Sequence, residues 1–235
     1  MLIKEKNISE KAMQNYIKSR RNLDKGSFLT HSAVNIVVKD HLAFDLEVED
    51  LESVIDLFPQ AITRNLDYII FGNFDFLRKN NYNAAYKDGA IYVLNTQEDN
   101  SDILDDIVHE IGHSVEDNYG DVVYGDGLLE QEFLKKREIL RRELSKEGID
   151  VPEEVMSNPE YQQGLDIFFS EDIGYPRMTS IVQGIFYSPY GATSLQEYFA
   201  NGFEAHYYHK DIYLQKVSPV LYSKIKKLEE MYDES

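Results

Sequence analysis

Over roughly the first hundred residues the apolar positions alternate or gather in short runs, and from Ser101 onward they recur every three to four residues. Glu10–Arg21 has the spacing of a short polar helix, closed by a break at Gly26. Val34–Val38 and Phe44–Val48 alternate as half-buried strands do. Leu51, Val54, Ile55 and Phe58 then fall at helical spacing, and Pro59 breaks or restarts that helix. Leu66–Phe71, rich in Ile, Tyr and Phe, reads as a strand. Ala84–Tyr86 and Ala90–Leu94 flank Lys87-Asp88-Gly89, and the Asp-Gly pair between two short strands predicts a hairpin.

After Ser101 the period changes. Ile103, Ile107 and Ile111, with Leu104, Val108 and Val115, make the apolar face of a helix capped by Ser101 or Asp99 and ending near Gly120. Further helices are predicted near Leu128–Lys146, Tyr161–Phe169, Leu195–Tyr208 and Val220–Met231. Strands first and helices afterwards give an α+β class, a small N-terminal mixed sheet followed by a mainly helical C-terminal half. No internal repeat or low-complexity segment interrupts it.

Composition narrows the function classes. The 235 residues carry 24 basic and 42 acidic side chains, a net charge of −18, while 43% of the chain is apolar and 12% aromatic. That is a folding composition, since disordered chains of high charge lack the apolar and aromatic content. The charge repels phosphate backbones and anionic headgroups, and no dense Lys/Arg stripe overrides it, so neither nucleic acid nor a membrane is expected as partner. The amino terminus has charges where a signal peptide needs its apolar run, and no stretch of about 18 apolar residues occurs. The expected setting is cytoplasmic or phage- or mobile-element-associated, with a secreted protein stripped of its leader equally compatible. Cysteine is absent, so any metal must be held by histidine and carboxylate.

The central helix supplies such ligands. In His109-Glu110-Ile111-Gly112-His113 the two imidazoles lie one turn apart and project from one face, which suits a single zinc ion. Asp102, Asp106 and Glu116 share that face, and the apolar stripe lies opposite, so the histidines are expected to look into a polar cleft. Glu110 sits about 100° around the helix, where it reaches the attacking water instead of the metal. A catalytic zinc needs one more protein ligand. The metzincin pattern would place a glycine and a third histidine where Glu116 and Tyr119 stand, so that class is excluded. A carboxylate on a later helix remains, and Glu197 in Leu195-Gln196-Glu197-Tyr198-Phe199-Ala200-Asn201-Gly202-Phe203-Glu204 is the best candidate, with Glu204 its rival on the same face. Seven residues before Glu197, Tyr190 lies on a Pro-Tyr-Gly turn that can hold its hydroxyl over a cleft. Tyr187 and Tyr198 compete for that role.

Taken together, the His109–His113 motif, Tyr190, the Glu197-Tyr198-Phe199-Ala200 block and Phe203 resemble the anthrax lethal factor family of zinc metallopeptidases, of gluzincin type, to which the Pro-Pro endopeptidases are smaller relatives. The resemblance covers roughly Leu66–Tyr119 and Tyr187–Lys227, and continues weakly through Asp211, Leu214, Pro219 and Ile225. It implies a zincin-like fold and one zinc per chain held by His109, His113 and Glu197. It further implies that Glu110 activates water and that Tyr190 stabilises the oxyanion. The 84 residues between His113 and Glu197 exceed the family's usual spacing, so a mostly helical insertion is expected at about 124–186. Such an insertion can shape the cleft, cover it or bind a partner. On this division residues 1–50 form an N-terminal region of uncertain role and 51–235 the catalytic domain.

The function that follows is a zinc-dependent endopeptidase acting on a protein or peptide substrate, such as a regulatory protein inside the cell. The substrate is expected to lie as an added strand along Gly89-Ala90-Ile91-Tyr92-Val93, placed at the sheet edge. The alternative from another class is a non-catalytic acidic binding module, or a phage or mobile-element structural component retaining a peptidase fold. Zinc content separates the two.

Overall fold

The computed structural model describes residues 26–43, 45–97 and 99–233, so the polar helix expected over Glu10–Arg21 lies outside the described residues, as does Phe44 itself. The chain is an α+β structure, with a five-stranded mixed sheet on its N-terminal side and a helical C-terminal half. The strands are β1 (Gly26–Leu29), β2 (Asn35–Val38), β3 (Tyr68–Gly72), β4 (Ala84–Lys87) and β5 (Ala90–Leu94), in the order β1-β2-β3-β5-β4. The two central pairings, β2 with β3 and β3 with β5, are parallel, and the outer two are antiparallel. Gly26, expected to be a break, instead opens β1 opposite Val38.

The Asp88-Gly89 hairpin forms as expected, with both residues at positive φ, 51° and 79°, the twist that matches antiparallel strands. The sequence does not reveal which arm is outermost. β5 pairs with β3 on one side and β4 on the other, so it is internal and has no free edge. The expectation that Gly89, Ala90, Ile91, Tyr92 and Val93 form the edge is therefore corrected: the edge is β4. Burial explains the order. Ile91 and Val93 are fully buried, whereas β4 ends on the exposed Lys87.

Phe44–Val48 is also corrected. Val48 opens α1 (Val48–Ile55) rather than ending a strand, because Asp50 accepts the Glu47 N–H at 3.0 Å and so fixes a helix start. Val48 then joins Leu51, Val54 and Ile55 in one buried helical stripe, which outweighs the short alternation before it. Pro59 does restart the chain as a helix, α2 (Gln60–Thr63). After α3 (Asp75–Asn80) comes the long α4 (Asn100–Tyr124), capped by Asp99, which accepts the Ser101 N–H at 2.7 Å. Its helical geometry breaks at Tyr119 (φ −128°, ψ 21°), near the expected end, and resumes for a last turn to Tyr124.

The C-terminal half comprises α5 (Leu128–Lys146), α6 (Glu153–Met156), α7 (Gln163–Ile167), a π-helical turn (Phe168–Gly174) and α8 (Tyr175–Val182). A 3-10 turn (Tyr190–Ala192), α9 (Leu195–Tyr207), α10 (Leu214–Val217) and α11 (Pro219–Asp233) complete it. The crossing of α4 and α9 positions the site. Ile103, Ile107, Val108, Ile111 and Val115 of α4 are buried, as are Phe199 and Phe203 of α9. Gly112 lets the helices approach, since a Cβ there would lie 3.1 Å from the Ala200 Cα.

Residues 124–186 are built into this core, not appended to it. On α5, Glu132 accepts the N–H groups of Val220 and Leu221 at 2.9 and 3.1 Å, capping α11, and accepts the Tyr198 hydroxyl of α9 at 2.8 Å. Lys136 donates to the carbonyls of Ile185 and Val217, and the fully buried Arg137 to those of Asn158 and Val155 at 2.8 and 3.0 Å. Glu132, Lys136 and Arg137 of α5 thus hold backbone atoms of the segments around it. No helix among the described residues is long and apolar enough to cross a membrane.

Candidate metal centre and its cleft

Helical periodicity places His109 and His113 on one face of α4, and the crossing brings Glu197, in the first turn of α9, against both. Glu197 Oε2 lies 2.9 Å from His109 Nε2 and 3.6 Å from His113 Nε2. Its own position is fixed because the Ser194 hydroxyl, capping α9, accepts the Glu197 N–H at 3.1 Å.

The far ring nitrogens are held by further carboxylates. Glu204 Oε2 is 3.1 Å from His109 Nδ1, and Glu116 Oε2 is 2.5 Å from His113 Nδ1. Tyr124 in turn donates its hydroxyl to Glu116. A carboxylate on each Nδ1 holds a proton there and turns each Nε2 towards Glu197, so that loss of the Nε2 proton would free a lone pair for a metal. The donor set, two imidazoles and one carboxylate with the opposite side open to a cleft, fits a catalytic zinc. It also decides between the two glutamates. Glu197 faces the Nε2 atoms, and Glu204, about two turns along α9, stands behind His109 against its Nδ1.

Glu204 reaches one step further, its Oε1 lying 3.2 Å from His209 Nε2, which is itself 3.0 Å from Asp105 Oδ1. Sequence reasoning missed both: Asp105 stands one turn before His109 on the same helix and was open to the four-residue rule, whereas His209 lies beyond the end of α9 and has no helical rule behind it. Glu116 and Glu204 were within reach of such a rule, three residues after His113 and seven after Glu197 respectively.

Charge in this cluster is balanced by protons until a metal arrives. Burial lowers the affinity of His109 for a proton, but hydrogen bonds to Glu197 and Glu204 outweigh it and raise its pKa to about 10. His113 is likewise raised, against burial, by Glu116 and Glu197. Uptake of a metal here would therefore displace protons, and apparent zinc affinity is expected to climb with pH. Replacing Glu204 with glutamine keeps the shape but removes the charge behind His109. The expected result is zinc affinity weakened by about 10- to 100-fold in competition with a chelating dye. Unchanged affinity would show that Glu204 does not tune the ligand.

The histidines open into a cleft of about 830 Å³, confirming that their face is polar and not part of the core. One side is lined by the turn before β4 and β4 itself, from Asn80 to Tyr86, and the other by α7 and the π-helical turn, both within residues 124–186. Glu110 lies in it and accepts the Tyr86 N–H at 2.6 Å. That bond shows the Tyr86 N–H pointing away from β5, as expected of an edge strand.

Of the three tyrosines, Tyr190 lines this cleft, its ring centroid 5.9 Å from that of His109. Its turn is held on α9: Ser188 donates to Asn201 Oδ1 at 2.9 Å, and a Cβ on Gly191 would come equally close to that oxygen. Burial, aided by the charge of Glu197, pushes the Tyr190 hydroxyl well above the ordinary tyrosine range, so it is a proton donor at any physiological pH. Tyr187 lines a separate cavity of about 640 Å³, and Tyr198 is buried with its hydroxyl on Glu132. Asp106 also lines the metal cleft, pushed up to about 7 chiefly by burial.

Comparison of the chain with protein-family models, with curated proteins and with solved structures gives no match in any of the three, so the functional reading rests on the residues and geometry of this site.

Proposed function

We propose that the chain is a zinc-dependent endopeptidase, zincin-like in fold and of the lethal factor-like kind that its motifs resemble. The observation that carries the reading is the convergence of His109 Nε2, His113 Nε2 and Glu197 Oε2, with Glu110 and Tyr190 lining the same cleft. One zinc per chain would be held by those three side chains. When bound, zinc supplies Lewis acidity to the scissile carbonyl and makes the attacking water easier to deprotonate.

The chain's own residues do the rest. Glu110 is anchored through one carboxylate oxygen by the Tyr86 N–H, which leaves the other to take a proton from the water and later deliver it to the leaving amine. Tyr190 keeps its proton and donates it in a hydrogen bond to the oxygen on which negative charge develops. The substrate would lie as an added strand against the outer edge of β4 at Ala84–Ala85, short of the Tyr86 N–H that Glu110 occupies, in place of the internal β5. This hairpin arm and α4 meet at the Glu110–Tyr86 bond, so strand addition sets the peptide beside the base. A protein or peptide is the partner, and the net charge of −18 disfavours nucleic acid and anionic membranes.

The test is digestion of a peptide library by zinc-loaded protein, with products mapped by mass spectrometry. Internal cleavage that stops on chelation and returns with added zinc is expected. A protein that holds one zinc and cleaves no peptide would contradict the reading.

A further inference from the structure

The wall contributed by the insertion carries carboxylates that the metal and the mechanism leave unused. Asp166 stands on α7 and Glu171 on the π-helical turn, and both line the cleft. Among the described residues neither pairs with a lysine or arginine, and no lysine or arginine lines the cleft at all. Asp166 accepts one side-chain hydrogen bond, from the Tyr161 hydroxyl at 2.7 Å.

Around Asp166 the cleft is aromatic. Tyr161 and Tyr175 come from the insertion, Tyr82 from the opposite wall, and Tyr190 from its own turn, all lining one space. Tyr82 and Tyr161 line this corner from the two sides. Burial raises the hydroxyls of Tyr161, Tyr175 and Tyr190, and the charge of Asp166 contributes to each, which puts the carboxylate and the rings in one neighbourhood. A carboxylate set among tyrosines, with no lysine or arginine lining the cleft to neutralise it, is complementary to an ammonium or guanidinium group, to which it offers a charge-assisted hydrogen bond.

We propose that this tyrosine-lined acidic corner is a specificity subsite that receives a lysine or arginine side chain of the substrate close to the scissile bond, with Asp166 as the selecting residue. The inference rests on the endopeptidase reading and adds the substrate class to it. Tyr190 ties the corner to the reacting carbonyl, because the same side chain borders both. Glu171 and the other cleft carboxylates add a field that draws cationic peptides in.

Two measurements test it. In the first, zinc-loaded wild type and Asp166→Asn digest the same peptide library, and kcat/KM is compared for matched peptides with Lys, Gln or Glu at the preferred position. Wild type should favour Lys or Arg over Glu at one position next to the cut by about tenfold or more, and Asp166→Asn should lose most of that ratio, chiefly through KM on the Lys peptide. Asp166→Lys should shift the preference towards Glu. Cleavage without a basic preference, or a preference that Asp166→Asn leaves unchanged, overturns the subsite and spares the peptidase reading. In the second, binding of fluorescent Lys and Glu peptides to the Glu110→Gln protein is followed by anisotropy. If wild type cleaves nothing but this protein binds the Lys peptide more tightly, and Asp166→Asn added to it abolishes the difference, the subsite stands and the peptidase reading falls. No difference between the peptides overturns the subsite by itself.

Discussion

Replacing Glu110 with glutamine should leave a folded, zinc-loaded protein whose peptide cleavage has fallen by about 10²- to 10⁴-fold, the usual range for loss of a positioned general base. Glutamine has the same volume, and its carbonyl oxygen can still accept the Tyr86 N–H that holds Glu110 at 2.6 Å. What it lacks is a second oxygen able to take a proton from water. Glu110 offers an oxygen within 4.8 Å of the ligand nitrogens of His109 and His113, but it is tied to the Tyr86 N–H, while Glu197 is the carboxylate set against both Nε2 atoms, so zinc content should match wild type. The measurement pairs kcat/KM on a cleaved peptide with elemental analysis of the same sample. A variant that keeps wild-type cleavage would remove Glu110 from the mechanism, and one that loses zinc would place it among the ligands.

Tyr190→Phe is expected to lower kcat by about 10²- to 10³-fold, the range seen when one oxyanion donor is removed, with little change in KM. The ring stays in place, since its turn is held by the Ser188–Asn201 bond and by the Thr193 hydroxyl donating to the Tyr190 carbonyl at 2.7 Å. Only the hydroxyl disappears, and it matters only when negative charge develops. Two other tyrosines separate this from a general effect. Tyr187→Phe, in the other cavity, should leave kcat unaltered. Tyr198→Phe removes a bond to Glu132 inside the core and should show itself as lowered melting temperature instead. Equal loss of kcat in Tyr187→Phe and Tyr190→Phe would contradict the assignment.

Much of the centre was legible because it depends on helical geometry alone. Two histidines four residues apart share a face in any α-helix, and the apolar stripe of Ile103, Ile107 and Ile111 fixed which face was buried. Glu197 was legible as the better candidate than Glu204, but the physical reason for preferring it was not. That reason depends on how α9 crosses α4, set by the Gly112–Ala200 approach, a contact between residues far apart in sequence. The Asp88-Gly89 hairpin was legible from local turn chemistry. Its placement was not, because which arm lies outside depends on β5 pairing with β3, and no local signal encodes a parallel partner. Phe44–Val48 misled because a short alternation and the start of a helical stripe look alike until Asp50 caps the turn. Of residues 124–186 only the helical character was legible. Their anchoring depends on Glu132, Lys136 and Arg137, charged residues that read as a solvated helix face and are instead spent on backbone groups of α11 and the neighbouring loops.

The central claim is that His109, His113 and Glu197 hold one metal ion, and elemental analysis tests it most directly, with wild type measured beside His109→Ala and Glu197→Ala after the same reconstitution. The account predicts about one zinc per wild-type chain and its loss or marked weakening in both variants, each still folded by circular dichroism. Wild-type protein that takes up no zinc, or variants that retain it as tightly as wild type, would contradict the account.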